Sequence, residues 1–321
     1  GVSLLLVLTI FSACKKEEIK FPTVHPGDGD PVQYDVPFAK VPATADIILY
    51  EVNPRAFSAT GNLTGILARL DSLKSLGINV VWLMPIYPIG ELNGVGSPYA
   101  VKDYFKVNPE YGTLDDLREL VKEAHKRDMA IMLDWVGNHT SWDNAWIQNK
   151  AWYTQDAAGN IVSPQTWTDV ADLNYANQAM RKEMIKAMKY WVLEANIDGY
   201  RCDYAAGVPN DFWKQAIDTL RNIPNRDIIM FAEAEDKNLF SAGFNLTFGW
   251  RFYTGVKEVM NNNQPVSALV SAHTEEYNNI PAGAQILRWT SNHDNNATDG
   301  TPLDIFKGKQ GSMAAFVMSS Y

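Results

Sequence analysis

Arg201 and Asp203 stand two residues apart in the run Ile197-Asp198-Gly199-Tyr200-Arg201-Cys202-Asp203-Tyr204, which a helical pattern enters and a turn leaves. On a strand this spacing turns both side chains to the same side. A guanidinium and a carboxylate so placed are costly to bury unless they pair. Two further carboxylates end apolar strand patterns, Glu233 after residues 228–232 and Asp294 after residues 284–289. Cleaving a glycosidic bond takes two carboxyl groups in unlike environments, one protonated to meet the leaving oxygen and one ionised. Arg201 would hold Asp203 ionised, as suits a nucleophile. Partial desolvation would raise Glu233 toward the range of a general acid, and Asp294 would stabilise positive charge building on a sugar ring. Three carboxylates would also suit a metal-dependent hydrolase, and each alone serves as readily as a helix cap or turn former.

The elements that must position these groups alternate in type. Strand patterns at 47–52, 79–86 (NVVWLMPI), 130–136 (AIMLDWV), 197–204, 228–232, 245–248 (the weakest) and 284–289 are separated by helical ones. One helix face is marked by Ile66, Leu67, Leu70 and Leu73 and closed by Gly77; the next opens at Thr113 with an acid three residues on, and buries Leu114, Leu117, Leu120, Val121 and Ala124. Met180, Met184, Ala187, Met188 and Trp191 form a stripe that reads as core, followed by Phe212, Trp213, Ala216, Ile217 and Leu220, a helix through Val256 to Met260, and another from Gly311. Such alternation builds βα units and a parallel sheet, either doubly wound or closed. There is no Gly-rich dinucleotide turn after the first strand and no GxxxxGK[ST]. Polar residues instead recur at strand C-terminal ends: Asn53 and Arg55, Asp134, Asp203, Glu233, His293 and Asp294. That spread is what a (β/α)8 TIM barrel needs, since several strand ends assemble its site. A long insertion, 137–174, with Trp142, Trp146, Trp152 and Trp167, follows the third strand. Only seven strands are found by Tyr321, so the eighth is expected beyond it.

The chain's net charge of −9 and lack of a Lys/Arg-rich run leave nucleic acid no electrostatic footprint. Ten Trp and fourteen Tyr suit a flat apolar ligand such as a sugar face as well as a core. Residues 4–11 form an apolar run too short to span a bilayer. Ser12-Ala13-Cys14 after it resembles the lipobox of bacterial lipoproteins, against an ordinary signal peptide that happens to contain Cys. The expectation is an exported protein tethered to a membrane through a lipidated Cys14. With no opening Met and no basic stretch, the sequence is expected to begin inside the gene product. Cys202 is the only other cysteine, so no disulfide framework is indicated. The expected divisions are 1–14 signal segment, 15–44 linker, 45–136 and 175–321 barrel, and 137–174 insertion; no protein partner can be inferred.

Four short motifs then carry a resemblance. Asp134-Trp135-Val136-Gly137-Asn138-His139, Gly199-Tyr200-Arg201-Cys202-Asp203, Phe231-Ala232-Glu233 and Ser291-Asn292-His293-Asp294, in this order and on these strands, are similar to the conserved regions of the α-amylase family of glycoside hydrolases; Asp172-Leu173-Asn174 resembles the motif closing that family's domain B. The likeness runs from Ile47 to the end of the chain. It implies a (β/α)8 barrel with a short domain B after strand three, Asp203 as nucleophile, Glu233 as acid/base and Asp294 as transition-state stabiliser. His139 and His293 would bond sugar hydroxyls, Tyr99 would stack on the sugar ring and Arg201 would orient Asp203. The family's retention of anomeric configuration goes with a nucleophile and acid/base about 5–5.5 Å apart. Asn138 and Asp172 match two calcium-ligand positions, and oxygen donors suit Ca²⁺. The chain departs from the pattern after Asp203, where Tyr204-Ala205-Ala206-Gly207 lacks the family's Lys-His or lone His, and at Ala232, where the family has Gly. The implied activity is retaining hydrolysis of starch-like polysaccharides or maltooligosaccharides; transglycosylation and an inactive glucan-binding lipoprotein are the alternatives.

Overall fold

The computed structural model describes residues 29–320; the expected signal segment, Cys14 and the first part of the expected linker lie outside them. The strands in chain order are β1 (Leu49–Val52), β2 (Val80–Leu83), β3 (Ala130–Val136), β4 (His139–Ser141), β5 (Val170–Asp172), β6 (Gly199–Asp203), β7 (Ile229–Ala232), β8 (Leu246–Phe248) and β9 (Gln285–Leu287). Seven of them form one parallel sheet in the order β1-β2-β3-β6-β7-β8-β9. Helices cross between most neighbours, and this is the (β/α)8-barrel architecture with seven of its strands among the described residues. The remaining two strands make a small antiparallel hairpin, β4–β5, within the insertion after β3.

Strand alternation sorts the sheet's residues into two layers. Val80, Trp82, Ala130, Met132, Ile229, Phe231, Leu246 and Phe248 face inward as one buried cluster. Val81, Leu83, Ile131, Leu133, Tyr200, Cys202 and Met230 join the helices in the larger core. Continuing the inward rows by two residues reaches Asp134 on β3, Asp203 beyond Arg201 on β6, and Glu233 just past β7, so apolar packing below gives way to charge at the strand C-termini. Gly199 opens β6 for a steric reason, since a Cβ there would lie 2.2 Å from the carbonyl oxygen of Ile229.

Helix Leu114–Lys126 starts at a capping box, the Thr113 side chain and the Asp116 carboxylate each holding the other's backbone N–H. Near its end, His125 meets Asp198 at 2.8 Å, and that buried carboxylate also accepts from the backbone N–H of Ile131. Helix, β3 and the entry to β6 are thereby tied at the end of the barrel remote from the charged rows.

Three expectations need correcting. The described part of the 15–44 linker is not a free connector: the Tyr34 N–H donates to the Leu193 carbonyl, Asn196 donates to Val36, and Phe38 is buried against the inward cluster and stacked on His125 at 4.3 Å. The helix expected around residues 66–73 is two short ones, Leu63–Leu67 and Leu70–Ser75, with Asn62 capping the first. Helix Ser267–Tyr277 was not anticipated, because its exposed Val270 blurs any apolar stripe.

Candidate active site

Arg201 is the buried centre of the site. Its Nη1 donates to Asp134 Oδ1 at 2.8 Å and to Asp203 Oδ1 at 2.9 Å, while Nη2 lies 2.9 Å from Glu233 Oε1. β3, β6 and β7 are adjacent, and Asp134 is directly opposite Arg201 in register, so sheet pairing alone brings these groups together. The guanidinium lies 4.9 Å from the centre of the Trp82 ring. Three carboxyl groups share one positive charge in a dry environment. Burial pushes Asp134 up to about 7 against the pull of Arg201. Burial likewise raises Asp203 and Glu233, with Arg201 opposing in each. Arg201 bonds Asp203 as expected and pulls it down, with burial the larger and opposite influence. With all three groups raised, the cluster readily keeps a proton, and Glu233 is the carboxyl placed to lend one.

A second chain of contacts joins this cluster from the far side. The Tyr99 hydroxyl donates to Asp134 Oδ2 at 3.1 Å, and Trp82 Nε1–H donates to the same oxygen at 3.1 Å. Tyr99 also lies 2.9 Å from His293 Nε2, with the two rings stacked at 5.4 Å. The other ring nitrogen, Nδ1, is 2.6 Å from Glu51 Oε1. Burial works against a charge on His293, but the hydrogen bond and charge of Glu51 prevail and raise it above its ordinary value. Asp294 is half exposed, 3.4 Å from His293 Nε2. The polar residues expected at the end of β1, Asn53 and Arg55, stay at the surface: the Asn53 side chain accepts from the Arg55 N–H, and Arg55 donates to Gly96. Glu51 enters the site instead, being the inward residue of β1 beside Trp82.

Tyr204, directly after Asp203, adopts the left-handed conformation at φ 41° and ψ 48°, a strained choice for a residue with a Cβ. The turn aims its backbone N–H at Glu233 Oε2, 2.7 Å away. Gly207 makes room, since a Cβ there would lie 2.2 Å from the Tyr204 ring. The phenol is hydrogen-bonded to Gln165 and packs edge-on against Trp167 at 5.0 Å, and Trp167 in turn meets His139 at 5.6 Å. The insertion and the post-β6 turn thus form one aromatic wall.

These groups surround a cavity of about 590 Å³, within the range of small-molecule sites. Asp203, Glu233, Asp294, Tyr99, His139 and His293 line it, with Trp250 and Glu235 also on its wall; Arg201 is buried behind them. His139 is pushed down to about 4 by burial, so it is neutral near pH 7. Glu51, Tyr204 and Glu235 were not singled out from sequence as site residues. Only the parity of β1 could have signalled Glu51.

Asn138 and Asp172 are not on the cavity wall. They bracket the hairpin: Asn138 precedes β4, Asp172 ends β5 opposite His139, and the Leu173 N–H donates to the Asn138 carbonyl. Asp172 is half-buried, raised by that burial, and in no ion pair among the described residues. Its carboxylate and the Asn138 amide are oxygen donors of the kind Ca²⁺ takes. Among the described residues no three His, Cys, Asp or Glu side chains are grouped to hold a metal, so any further ligands here would be carbonyls or water.

The chain matches the family model described as alpha amylase, catalytic domain, over residues 44–158 and 147–280. It is 32% identical over 222 residues to Alpha-amylase 3 of Dictyoglomus thermophilum, covering 59% of this chain and 43% of that protein. It is also 32% identical over 194 residues to an oligo-1,6-glucosidase of Bacillus cereus (49% and 34%) and 32% over 195 residues to a trehalose-6-phosphate hydrolase of Bacillus subtilis (49% and 34%). The matched part is thus less than half the length of these curated relatives. Among solved structures, an α-amylase from Lactobacillus plantarum superposes with a TM-score of 0.73 at 31% identity, covering 82% of this chain and 69% of that one. A noncanonic maltogenic α-amylase from Thermotoga neapolitana gives 0.71 at 33%, covering 78% and 60%.

Proposed function

The chain belongs to the α-amylase family of glycoside hydrolases, and from that premise we propose that it hydrolyses α-glucosidic bonds in starch-like polysaccharides or maltooligosaccharides with retention of configuration. Asp203 is the nucleophile. Its Oδ1 is held by Arg201, leaving Oδ2 to attack the anomeric carbon. Glu233 gives its proton to the departing glycosidic oxygen, and the sugar is left covalently bound to Asp203. Glu233, now ionised, takes a proton from water, whose oxygen attacks the same carbon and frees Asp203. Asp294 faces the reacting sugar and offsets the positive charge that builds on its ring. Tyr99, His139 and His293 position that sugar, and Arg201 orients both reacting carboxyl groups.

The observation that carries this reading is one buried guanidinium holding Asp203 and Glu233 at 2.9 Å each on the wall of a single cavity. The wall also speaks to substrate. Among the described residues no Lys or Arg lines the cavity, which carries several acids, so a neutral glucan suits it better than a phosphorylated disaccharide. We also propose that Asn138 and Asp172 contribute oxygen ligands to a calcium ion; such an ion would brace the insertion against the barrel.

The test is Asp203→Asn on a maltooligosaccharide. Turnover should fall by about 10⁴-fold or more, with thermal stability kept or increased, because ionisation of the buried Asp203 opposes folding at neutral pH. Wild-type turnover by the variant would refute the assignment. Product analysis of the unaltered protein on amylose, pullulan and trehalose completes it: longer oligosaccharides would mark a transglycosidase, and binding with no reducing sugar released would mark an inert glucan-binding protein.

A further inference from the structure

We propose that Glu51 is a positioning residue for His293, keeping both ring nitrogens protonated so that Nε2–H is fixed on the Tyr99 oxygen and the stacked His293–Tyr99 pair is held on the cavity wall where the sugar binds. The inference rests on the glycosidase reading for the sugar, and on proton accounting for the donor. With the cluster's proton on Glu233 and Asp134 ionised, Asp134 Oδ2 accepts from Trp82 Nε1–H and from the Tyr99 hydroxyl. Tyr99 has then spent its only proton, so its oxygen can meet His293 Nε2 at 2.9 Å only by accepting. Nε2 therefore carries hydrogen. Nδ1 lies 2.6 Å from Glu51 Oε1, and two bare acceptors at that distance would repel, so a proton sits there as well. Only an acid on β1 achieves this. A glutamine amide can pair with either neutral tautomer, so the ring would lose its charge and one of its two N–H groups.

The charges around the ring come from four elements. Glu51 lies on β1, Asp134 on β3, Arg201 and Asp203 on β6, and Asp294 beside His293 itself; Tyr99 is stacked on the ring face. Arg201 is the one cation in this set and works against the imidazolium, while the carboxylates favour it. Among the described residues Glu51 alone bonds Nδ1, and both partners are mostly shielded from solvent, His293 at 19% and Glu51 at 16% side-chain exposure. That isolation makes its effect separable from the rest.

Two measurements test the proposal on the whole protein. In the first, ¹⁵N-histidine labelling gives few resonances from five histidines, and His293→Asn identifies the signal of interest. The wild type should show both nitrogens of His293 protonated at pH 7, and Glu51→Gln should show one bare nitrogen. In the second, Glu51→Gln should raise KM for maltotriose by about tenfold, the loss expected when a charge-assisted donor is removed, and move the alkaline limb of kcat/KM to lower pH. Glu51→Asp should restore the profile in part. A bare nitrogen in the wild type at pH 7, or a glutamine variant with the wild-type pH profile, overturns the inference. Since the labelling readout needs no turnover, its failure is distinct from loss of the glycosidase reading, which Asp203→Asn decides. Matching melting curves for Glu51→Gln and wild type exclude a merely structural effect, and a variant destabilised with an unshifted pH profile counts against the proposal.

Discussion

His139 and His293 line the same cavity with opposite electrostatics, which gives a test at the scale of single residues. His293 is drawn toward the charged form by Glu51, whereas His139 is held neutral by burial, at about 4. An unfolded histidine titrates near 6.5. As pH falls below that value the unfolded chain takes up a proton that folded His139 refuses, so its contribution to stability is present above about 6.5 and lost as pH drops toward 4. The gap corresponds to about 3 kcal/mol. The raised carboxyls Asp203 and Glu233 act in the reverse sense, gaining protons on folding and favouring the folded state as pH falls. Comparing His139→Gln with wild type isolates the histidine. The variant should lose less melting temperature than wild type between pH 7.5 and 4.5, and parallel curves would show that His139 ionises freely when folded.

At the scale of elements, the β4–β5 hairpin is where the calcium proposal can be decided. The hairpin has three-residue strands, too short to be stable alone, and its Asp172 carboxylate has no ion-pair partner among the described residues. A bound cation would supply that partner and stabilise by mass action. Chelator should lower the melting temperature of the wild type by a few degrees, and Asp172→Asn should remove the response; an unchanged melt and unchanged activity in chelator would leave Asn138 and Asp172 as ordinary hairpin residues. The strands differ in how plainly their sequence announces their role. β6 declares itself because Arg201 and Asp203 interrupt an otherwise apolar run at inward spacing. β1 does not: Leu-Tyr-Glu-Val has one acid in four residues, and Asn53 and Arg55 lie closer to the strand end where a site residue is sought. The left-handed turn at Tyr204 is also invisible in sequence, since no glycine or asparagine marks it, and its cause lies 29 residues away in the carboxylate that its N–H must reach.

For the molecule as a whole, sheet curvature is the agent that turns scattered residues into a site. Glu51 and His293 are separated by 242 positions yet share a hydrogen bond, and no local pattern encodes that meeting. What sequence does carry is the strand parity that points Asp203 and Glu233 inward, so the barrel and these two are readable while their partners are not; Asp294 lies past β9, in the first turn of helix His293–Thr298. The same holds at the N-terminus, where Ser12-Ala13-Cys14 lies outside the described residues. No helix among the described residues is long and apolar enough to cross a membrane. A lipid on Cys14 would attach the chain to a membrane, since each buried CH₂ adds about 0.8 kcal/mol of membrane affinity and stable anchoring takes more than one chain. Cells expressing the full gene product with labelled palmitate should yield a labelled protein in the membrane fraction, and Cys14→Ser should give an unlabelled protein that leaves it. Buried Cys202 is shielded from such modification and serves as the internal control, so label persisting in the serine variant, or none in the wild type, would refute acylation at Cys14.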